Sequence, residues 1–341
     1  MIRLLDYYAN QQYPYWILIA DSSDEKHFAP TAKRVKDLQG VLQVKHFSCP
    51  NMTVPATLQF LANLVETPYT VYTADDDFLV PKGLQACADF LNLHADYSAA
   101  QGFSVLFHLD RSGPYGQMAG MSKYRVGQLE DELAQDRFQK YTHHYFVNIF
   151  SLQRTTNWKT IASWIPQIPE HIFAGELFPC FMSVVQGKVK LLNDFYLVRQ
   201  GHDRRYPLLR AFDWITHPSW QASFTSNVKA LAETIAKQDN IEFTKAENIV
   251  KSGLYEYFQQ RLQKKKVSYI QRLKNVAKEE LLHWPKTFRI IKKIKALIKP
   301  TIELDIQDFL KKESIYYAEF SPIHELITKD SKDHAHAATK C

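Results

Sequence analysis

The chain has 341 residues, of which 45% are hydrophobic and 23% charged, so it is long enough for about two domains and too apolar for a disordered protein. Its four cysteines are widely spaced and form no Cys-x-x-Cys pair, which argues against a disulfide framework or a structural zinc site. No apolar run reaches the roughly 18 residues that a membrane-spanning helix needs, and we recognise no signal peptide. We therefore expect a protein of the reducing cytoplasm.

The net charge of +6 is unevenly distributed along the chain. Residues 251–300 contain 14 lysines and arginines against 3 acidic residues, whereas the rest of the chain has 28 against 33. The basic character therefore belongs to one segment and not to the protein as a whole.

The first hundred residues alternate between helical and strand patterns. The spacing of apolar residues predicts helices over residues 2–11, 30–38, 53–65 and 81–93, and strands over residues 15–20, 41–47, 69–74 and 99–107. Strands that alternate with helices of this length are typical of an α/β fold with a mostly parallel sheet and helices on both faces.

The middle of the chain is less regular, and the pattern beyond about residue 210 is predominantly helical. We predict loops over 113–127, then a strand over 141–150, helices over 157–164 and 170–185, and a strand over 189–198. The chain then divides into a first domain over 1–210, a helical basic C-terminal region over 211–328 and a disordered tail over 329–341.

Three consecutive carboxylates, Asp75–Asp77, follow the strand 69–74 and precede the helix that Pro81 opens. Ligands of parallel α/β sheets bind beyond the carboxyl ends of the strands, and Asp21 follows an earlier strand at that edge. Alternate residues of an extended chain point the same way, so Asp75 and Asp77 are expected to converge on Mg²⁺ or Mn²⁺ carrying a phosphate-bearing substrate. The alternative interpretation is a charged helix N-terminus, for which one aspartate would suffice.

Several of these residues together resemble a known family. Residues 17–23 (Ile-Leu-Ile-Ala-Asp-Ser-Ser), 67–69 (Thr-Pro-Tyr) and 75–78 (Asp-Asp-Asp-Phe) resemble a family 2-type glycosyltransferase with the GT-A fold, which is Rossmann-like. Residues 175–177 (Gly-Glu-Leu) and 198–202 (Val-Arg-Gln-Gly-His) are similar to a bacterial surface-polysaccharide branch of that family. The resemblance covers about residues 1–210. Family members begin with a strand before the first helix, so we expect either a truncated start or a sheet that is completed differently.

The resemblance implies a nucleotide-sugar donor held through its diphosphate by Mg²⁺ or Mn²⁺, and a glycan or lipid-linked acceptor. The expected donor-binding residues are Asp21, Asp75, Asp76 and Arg199, and the expected metal ligands are Asp77 and His202. Glu176 stands where the family places its base, which would accept the proton of the acceptor hydroxyl in an inverting displacement. From residue type alone, a solvated helix glutamate and an ordinary loop histidine remain the alternatives for Glu176 and His202.

Residues 269–300 place apolar side chains at helical spacing between lysines and arginines, with Pro285 as a break. This pattern fits an amphipathic helix on the anionic inner face of the cytoplasmic membrane, where the protein would be peripheral. It fits equally a helix that packs its apolar side on the catalytic domain and leaves a solvated basic face.

Three other functions stay open. The chain could be a catalytically inactive GT-A-fold scaffold that binds partners or a membrane. A nucleotidyltransferase normally brings a glycine-rich loop with a basic residue near its first strand, and we find none. Nucleic-acid binding by the basic segment, with Trp284 and Phe288 as stacking groups, has no recognised module to support it.

Overall fold

The computed structural model describes residues 1–202, 211–262 and 303–338. In chain order the strands are β1 Ile17–Asp21, β2 Val44–Ser48, β3 Tyr69–Thr70, β4 Phe78–Leu79, β5 Tyr97–Leu109, β6 Met118–Lys123, β7 Leu152–Arg154, β8 Lys188–Gln200 and β9 Glu303–Leu304. The helices are α1 Ile2–Asn10, α2 Glu25–Asp37, α3 Val54–Leu64, α4 Pro81–Leu93, α5 Ala134–His143, α6 Thr155–Trp164, α7 Phe178–Gln186, α8 Ala211–Ile215, α9 Pro218–Asp239, α10 Phe243–Leu262, α11 Ile306–Leu310 and α12 Tyr317–Ala338. A 3₁₀ turn, Ile165–Gln167, and a π-helical turn, Phe173–Leu177, lie between α6 and α7.

The described strands form two separate sheets. β1 and β2 pair in parallel, and the other strands form a seven-stranded sheet with the order β3-β7-β5-β6-β9, in which β8 lies between β5 and β4. The β5–β8 pair is parallel, and the remaining pairs of this sheet are antiparallel. The α/β class is therefore confirmed, but the prediction of a mostly parallel sheet is wrong. For example, β6 follows β5 after only residues 110–117, which are too few for the crossover that parallel strands need.

Two predicted elements of the middle region also differ. Residues 113–127 contain β6, and the predicted strand 141–150 is replaced by α5 and a loop. Ala134, Phe138 and Tyr141 are fully buried at helical spacing, so the packing face of α5 decides its structure. The aromatic and β-branched residues that follow favour a strand only by local propensity, which tertiary packing overrides here.

The core is built around α7, where every residue from Phe178 to Val185 is buried. A helix that is apolar all round needs packing on every side, and α7 contacts α5, α6, α9 and β5. On the other side of the sheet α4 lies directly on β8. A Cβ atom at Gly83 would stand 2.2 Å from the carbonyl oxygen of Phe195, so this close approach requires glycine.

The described C-terminal helices pack on the first domain. α9 ends at Asn240, whose left-handed backbone (φ 52°) turns the chain into α10, and both helices contact α5. The Asp239 carboxylate accepts hydrogen bonds from the first two amides of α5, Ala134 N at 2.7 Å and Gln135 N at 2.8 Å. The C-terminal region therefore caps and covers the helix that lies beside the candidate site.

Part of the C-terminal predictions falls outside the described residues, including the whole of the predicted amphipathic basic helix 269–300. The tail predicted to be disordered begins at residue 329, whereas α12 continues to Ala338. That stretch contains three alanines, the residue with the highest helix propensity. None of the helices in the described ranges is long and apolar enough to cross a membrane. Cys49, Cys87 and Cys180 are buried free thiols.

A groove of about 590 Å³ lies between β1 and β3. Its walls are mainly aromatic and aliphatic, and include Tyr13, Trp16, Leu18, Tyr69, Tyr72 and Trp158. Within the described residues β1 pairs only with β2, and β3 pairs only with β7. Residues of both strands line the groove, and within the described residues each strand is paired along one edge only.

Candidate active site

Asp21 closes β1 and is held by two neighbours. Its Oδ1 accepts a hydrogen bond from Ser23 N at 2.9 Å, and its Oδ2 lies 3.1 Å from Nε2 of His46 on β2. The His46 ring stacks on Phe28 with 4.6 Å between centroids. Burial tends to raise the pKa of Asp21, but the hydrogen bonds from Ser23 and His46 outweigh it and the pKa is lowered. Asp21 is thus an ionised carboxylate fixed at a strand end.

The three aspartates after β3 lie in a tight turn and not in an extended strand. Asp77 N donates to Ala74 O at 3.4 Å, which closes the turn. Asp75 points outward, with 65% of its side chain exposed and its Oδ2 3.4 Å from the Met1 ammonium, whereas Asp77 is fully buried. The predicted convergence of Asp75 and Asp77 is therefore wrong, because alternate residues share a direction only along an extended chain.

Asp77, predicted as a metal ligand, has protein partners on both oxygens. Oδ2 accepts a hydrogen bond from Arg199 Nε at 2.7 Å, and Oδ1 accepts one from Gln200 N at 3.1 Å. Burial raises the pKa of Asp77 to about 6, although Arg199 opposes the shift. In this structure Asp77 is the enclosed counter-ion of Arg199, with 0% of its side chain exposed, and its assignment as a metal ligand stays a prediction.

Arg199, predicted to bind the donor, stands on β8 between the acidic turn and two aromatic rings. Its Nη1 donates to the Tyr124 hydroxyl at 2.7 Å, and its guanidinium lies 4.1 Å from the centroid of the Phe150 ring. Burial works to lower the pKa of Arg199, but Asp77 and Tyr124 outweigh it and the net shift is upward. The side chain keeps 22% of its surface exposed, so it can meet a ligand only at its rim.

Arg3 on α1 donates a hydrogen bond to the backbone of the acidic turn, and this role was not predicted from the sequence. Arg3 is 2% exposed, and its Nη2 donates to the carbonyl oxygen of Asp76 at 3.0 Å. It also donates to the Pro114 carbonyl and the Gln200 side chain. Arg3 lies on the buried face of α1, one turn before the buried Tyr7. Because arginine is almost never buried without partners, its position on this face could have indicated a buried charge interaction. Arg3 and Arg199 together offset much of the turn's negative charge.

Asp76 and His202 form the partly exposed side of the same turn. The Asp76 carboxylate contacts Nε2 of His202, and their side chains are 28% and 40% exposed. Gly201 lets the backbone pass the His108 imidazole, since a Cβ atom there would stand 2.2 Å from that ring. Together with the exposed Asp75, this pair is the solvent-facing part of the predicted metal and donor residues on this turn.

Asp76 and His202 alone are too few ligands for a divalent cation, so a substrate would have to supply the others. Mg²⁺ is commonly held by one or two carboxylates together with substrate phosphates, and carboxylate oxygen also suits Mn²⁺. No group of three or more His, Cys, Asp or Glu side chains arranged to hold a metal occurs in residues 1–202, 211–262 and 303–338. A cation held by Asp76 and His202 would replace the contact between them and would take its remaining ligands from the substrate.

Glu176 lies in the π-helical turn that leads into α7. Its Oε1 accepts a hydrogen bond from the Tyr145 hydroxyl at 3.0 Å. At the neighbouring Gly175, a Cβ atom would stand 3.7 Å from Cγ of Pro55, so the turn packs on the first residues of α3. Because α3 is the helix that follows β2, Glu176 lies near the edge of the molecule where β1 and β2 end. Single π-helical turns are frequent at functional sites.

Buried groups connect Glu176 to the acidic turn. Tyr124, the partner of Arg199, and Glu176 both lie near the buried Cys180 thiol. The structure thus brings Asp76, Asp77, Arg199 and His202 together by direct contact or through their neighbours. Tyr124 and Cys180 lie between these residues and Glu176. Asp21 lies on the separate two-stranded sheet.

Comparison with known proteins gives distant structural similarity only. No family model and no curated protein matches the chain. It is similar to a solved structure of Staphylococcus aureus TarS residues 1–349 in complex with UDP-GlcNAc, with 16% identity, a TM-score of 0.47 and coverage of 75% of this chain and 68% of that one. For the same protein without a named ligand the values are 15%, 0.46, 78% and 69%, and in complex with UDP they are 15%, 0.44, 75% and 67%. The function of this chain therefore has to be inferred from its own side chains.

Proposed function

We propose that the chain is a glycosyltransferase that moves a sugar from a nucleotide-sugar donor to a hydroxyl group of a glycan or lipid-linked acceptor. One observation carries the proposal: Asp76 and His202 face outward from a turn whose base is fixed by the buried cations Arg3 and Arg199. A carboxylate and an imidazole on a rigid, charge-balanced base are suited to hold a cation against a diphosphate.

On the donor side, Asp76 and His202 would hold Mg²⁺ or Mn²⁺, which when bound supplies Lewis-acid stabilisation of the departing diphosphate. Asp21 would accept hydrogen bonds from the nucleoside, and the exposed Asp75 would provide a second acceptor on the turn. Arg199 and Asp77 would act by keeping the turn in place, with the rim of the guanidinium facing the diphosphate.

On the acceptor side, Glu176 would take the proton of the attacking hydroxyl. The acceptor oxygen forms a bond to the anomeric carbon while the bond from that carbon to the diphosphate oxygen breaks, and attack from the opposite face inverts the configuration. The proton ends on the Glu176 carboxylate. Such a transfer in the cytoplasm, at the inner face of the membrane, would suit the assembly of a bacterial surface polysaccharide.

The proposal is tested by thermal stabilisation with a panel of nucleotide sugars, with and without Mn²⁺. UDP-GlcNAc, the ligand in one of the similar structures, is a practical first probe. We expect Mn²⁺-dependent stabilisation that Asp76→Asn and His202→Ala abolish and that Asp37→Asn, an exposed carboxylate on α2, leaves intact. Glu176→Gln should retain the stabilisation and lose sugar transfer. Transfer by Glu176→Gln near the wild-type rate would exclude Glu176 as the base.

A second candidate is a scaffold that binds no donor. The observation in its favour is that Arg3 and Arg199 already offset the acidic turn and that both oxygens of Asp77 have protein partners. If no nucleotide sugar stabilises the chain and none is hydrolysed, with or without Mn²⁺, the scaffold replaces the enzyme as the best interpretation.

A further inference from the structure

The Glu176 carboxylate is bordered by a cluster of aromatic side chains from three elements. Tyr145, in the loop after α5, donates its hydroxyl to Oε1 of Glu176 at 3.0 Å. The Tyr145 ring packs against Tyr141, Phe181 and Tyr257, with centroid distances of 5.2, 5.9 and 5.2 Å. The ring is therefore held from several sides, so its hydroxyl has little freedom to leave the carboxylate.

The C-terminal region completes this arrangement through α10. The Arg261 guanidinium lies over the Tyr257 ring at 4.8 Å and over the Tyr145 ring at 5.8 Å. A cation over an aromatic face is attracted by it, so Arg261 fastens the Tyr145 ring from the solvent side.

The groups around Glu176 leave Tyr145 as a hydrogen-bond donor and not as an acid. Burial raises the pKa of Tyr145 well above its ordinary value, so its hydroxyl keeps its proton. Within the described part of the chain, Tyr141, Cys180 and Tyr257 are titratable groups near Glu176 whose pKa values burial also raises. The Arg261 guanidinium borders the same cluster. Tyr145 is the described residue whose hydroxyl holds the carboxylate itself.

We propose that Tyr145 is a positioning residue for Glu176: it holds Oε1, so that Oε2 remains turned toward the acceptor hydroxyl and receives its proton. Tyr145 itself exchanges no proton in this step. Arg261 acts one contact further out, by holding the Tyr145 ring. The inference rests on the proposed function, because it assumes that Glu176 is the base.

The test compares Tyr145→Phe, which keeps the ring and removes the hydroxyl, with Tyr257→Phe, which removes a neighbouring phenol whose hydroxyl makes no hydrogen bond to Glu176. A misplaced base slows the chemical step without weakening donor binding. Tyr145→Phe should therefore lower kcat roughly tenfold and leave KM for the donor unchanged, whereas Tyr257→Phe should change neither. An unchanged kcat for Tyr145→Phe, or an equal fall for Tyr257→Phe, would overturn the proposal.

A second measurement does not require turnover. Carbon-13 NMR of labelled glutamate carboxylates, with Glu176→Gln for assignment, observes the Glu176 carboxylate directly. Tyr145→Phe removes a hydrogen bond to this carboxylate, so it should change the chemical shift of the Glu176 resonance at fixed pH. An unchanged resonance overturns the proposal even if the enzyme is active. If the wild-type chain turns over no donor while the resonance still moves, the proposed function fails and the contact stands.

A third variant, Arg261→Met, tests the same contact without changing Tyr145, so it remains informative if Tyr145→Phe misfolds. Arg261→Met, at an exposed position, should move the Glu176 carboxylate resonance in the same direction as Tyr145→Phe by a smaller amount. Lys251→Met, which removes an exposed cation elsewhere on α10, should not move it. Equal resonance positions for the two variants would contradict the role given to Arg261 and Tyr145.

Discussion

Replacing Arg199 by methionine tests the buried ion pair on which the acidic turn rests. Methionine keeps most of the packing against Phe150 and removes the charge that faces Asp77, whose side chain is 0% exposed. Asp77 then has two options. It can stay ionised without its partner, which costs about 3–5 kcal/mol for a buried pair, or it can take up a proton.

Protonation is the cheaper option near neutral pH. With Arg199 present the pKa of Asp77 is about 6, and without it the pKa rises further because burial is unopposed. Each pH unit above that value adds about 1.4 kcal/mol to the cost relative to the wild type. We therefore expect Arg199→Met to lose about 1.4 kcal/mol of unfolding free energy at pH 7 and about 2.7 kcal/mol at pH 8, with almost no loss from this source at pH 6.

Urea unfolding followed by tryptophan fluorescence at pH 6, 7 and 8 measures these differences. The double variant Arg199→Met with Asp77→Asn should recover most of the loss and show no pH slope, because neither partner is charged. Arg111→Met, which removes an arginine from an exposed pair with Asp110, should change stability by less than about 0.5 kcal/mol at every pH. A loss for Arg199→Met that is independent of pH would refute the reasoning.

Three further changes have defined outcomes. The pKa of Asp77 is raised from 3.8 to about 6, so its contribution to stability is fully present below pH 3.8 and is lost as pH rises through 6. Relative to Asp77→Asn, the unfolding free energy of the wild type should therefore fall by about 3 kcal/mol between pH 3.5 and 7. Parallel stability curves for the two proteins would exclude this. Gly83→Ala should destabilise the protein by about 1–3 kcal/mol, because the new Cβ atom meets the backbone of β8. Gly120→Ala, whose Cβ atom would have no other atom within 4 Å, should leave the stability unchanged. Equal melting temperatures for the two variants would contradict the close packing of α4 on β8. Asp239→Ala should cost about 1–2 kcal/mol by uncapping α5, measured by urea unfolding, and a cost near zero would show that water replaces the cap.

The sequence predicted best those elements whose pattern is local. β1, β2, α3 and α4 follow from apolar spacing and from caps such as Thr53, which accepts a hydrogen bond from Ala56 N. The order and direction of the strands were not predicted, because pairing joins residues far apart in the chain. The strand β8, for instance, pairs with β5 about ninety residues earlier.

The sequence named candidate site residues but did not predict their arrangement. Asp76, Arg199 and His202 stay predictions as functional residues. The turn that separates the three aspartates depends on Arg199, 122 residues from Asp77, and on Arg3, 73 residues from Asp76. Tyr145 was missed for a related reason. Its role comes from a contact with Glu176, 31 residues away, and an isolated tyrosine in an aromatic stretch has no signature of its own.

The groove between β1 and β3 has a consequence for the behaviour of the chain in solution. Uncovered strand edges can template pairing with another polypeptide, and folded proteins usually guard them with charges or prolines. Among the residues that line this groove, Lys45 and Glu66 carry charge and Pro68 is the proline, while Trp16 is 50% exposed. With so few charges and prolines beside these strand edges, we expect the chain to associate at high concentration. Light scattering of dilute and concentrated samples measures this association.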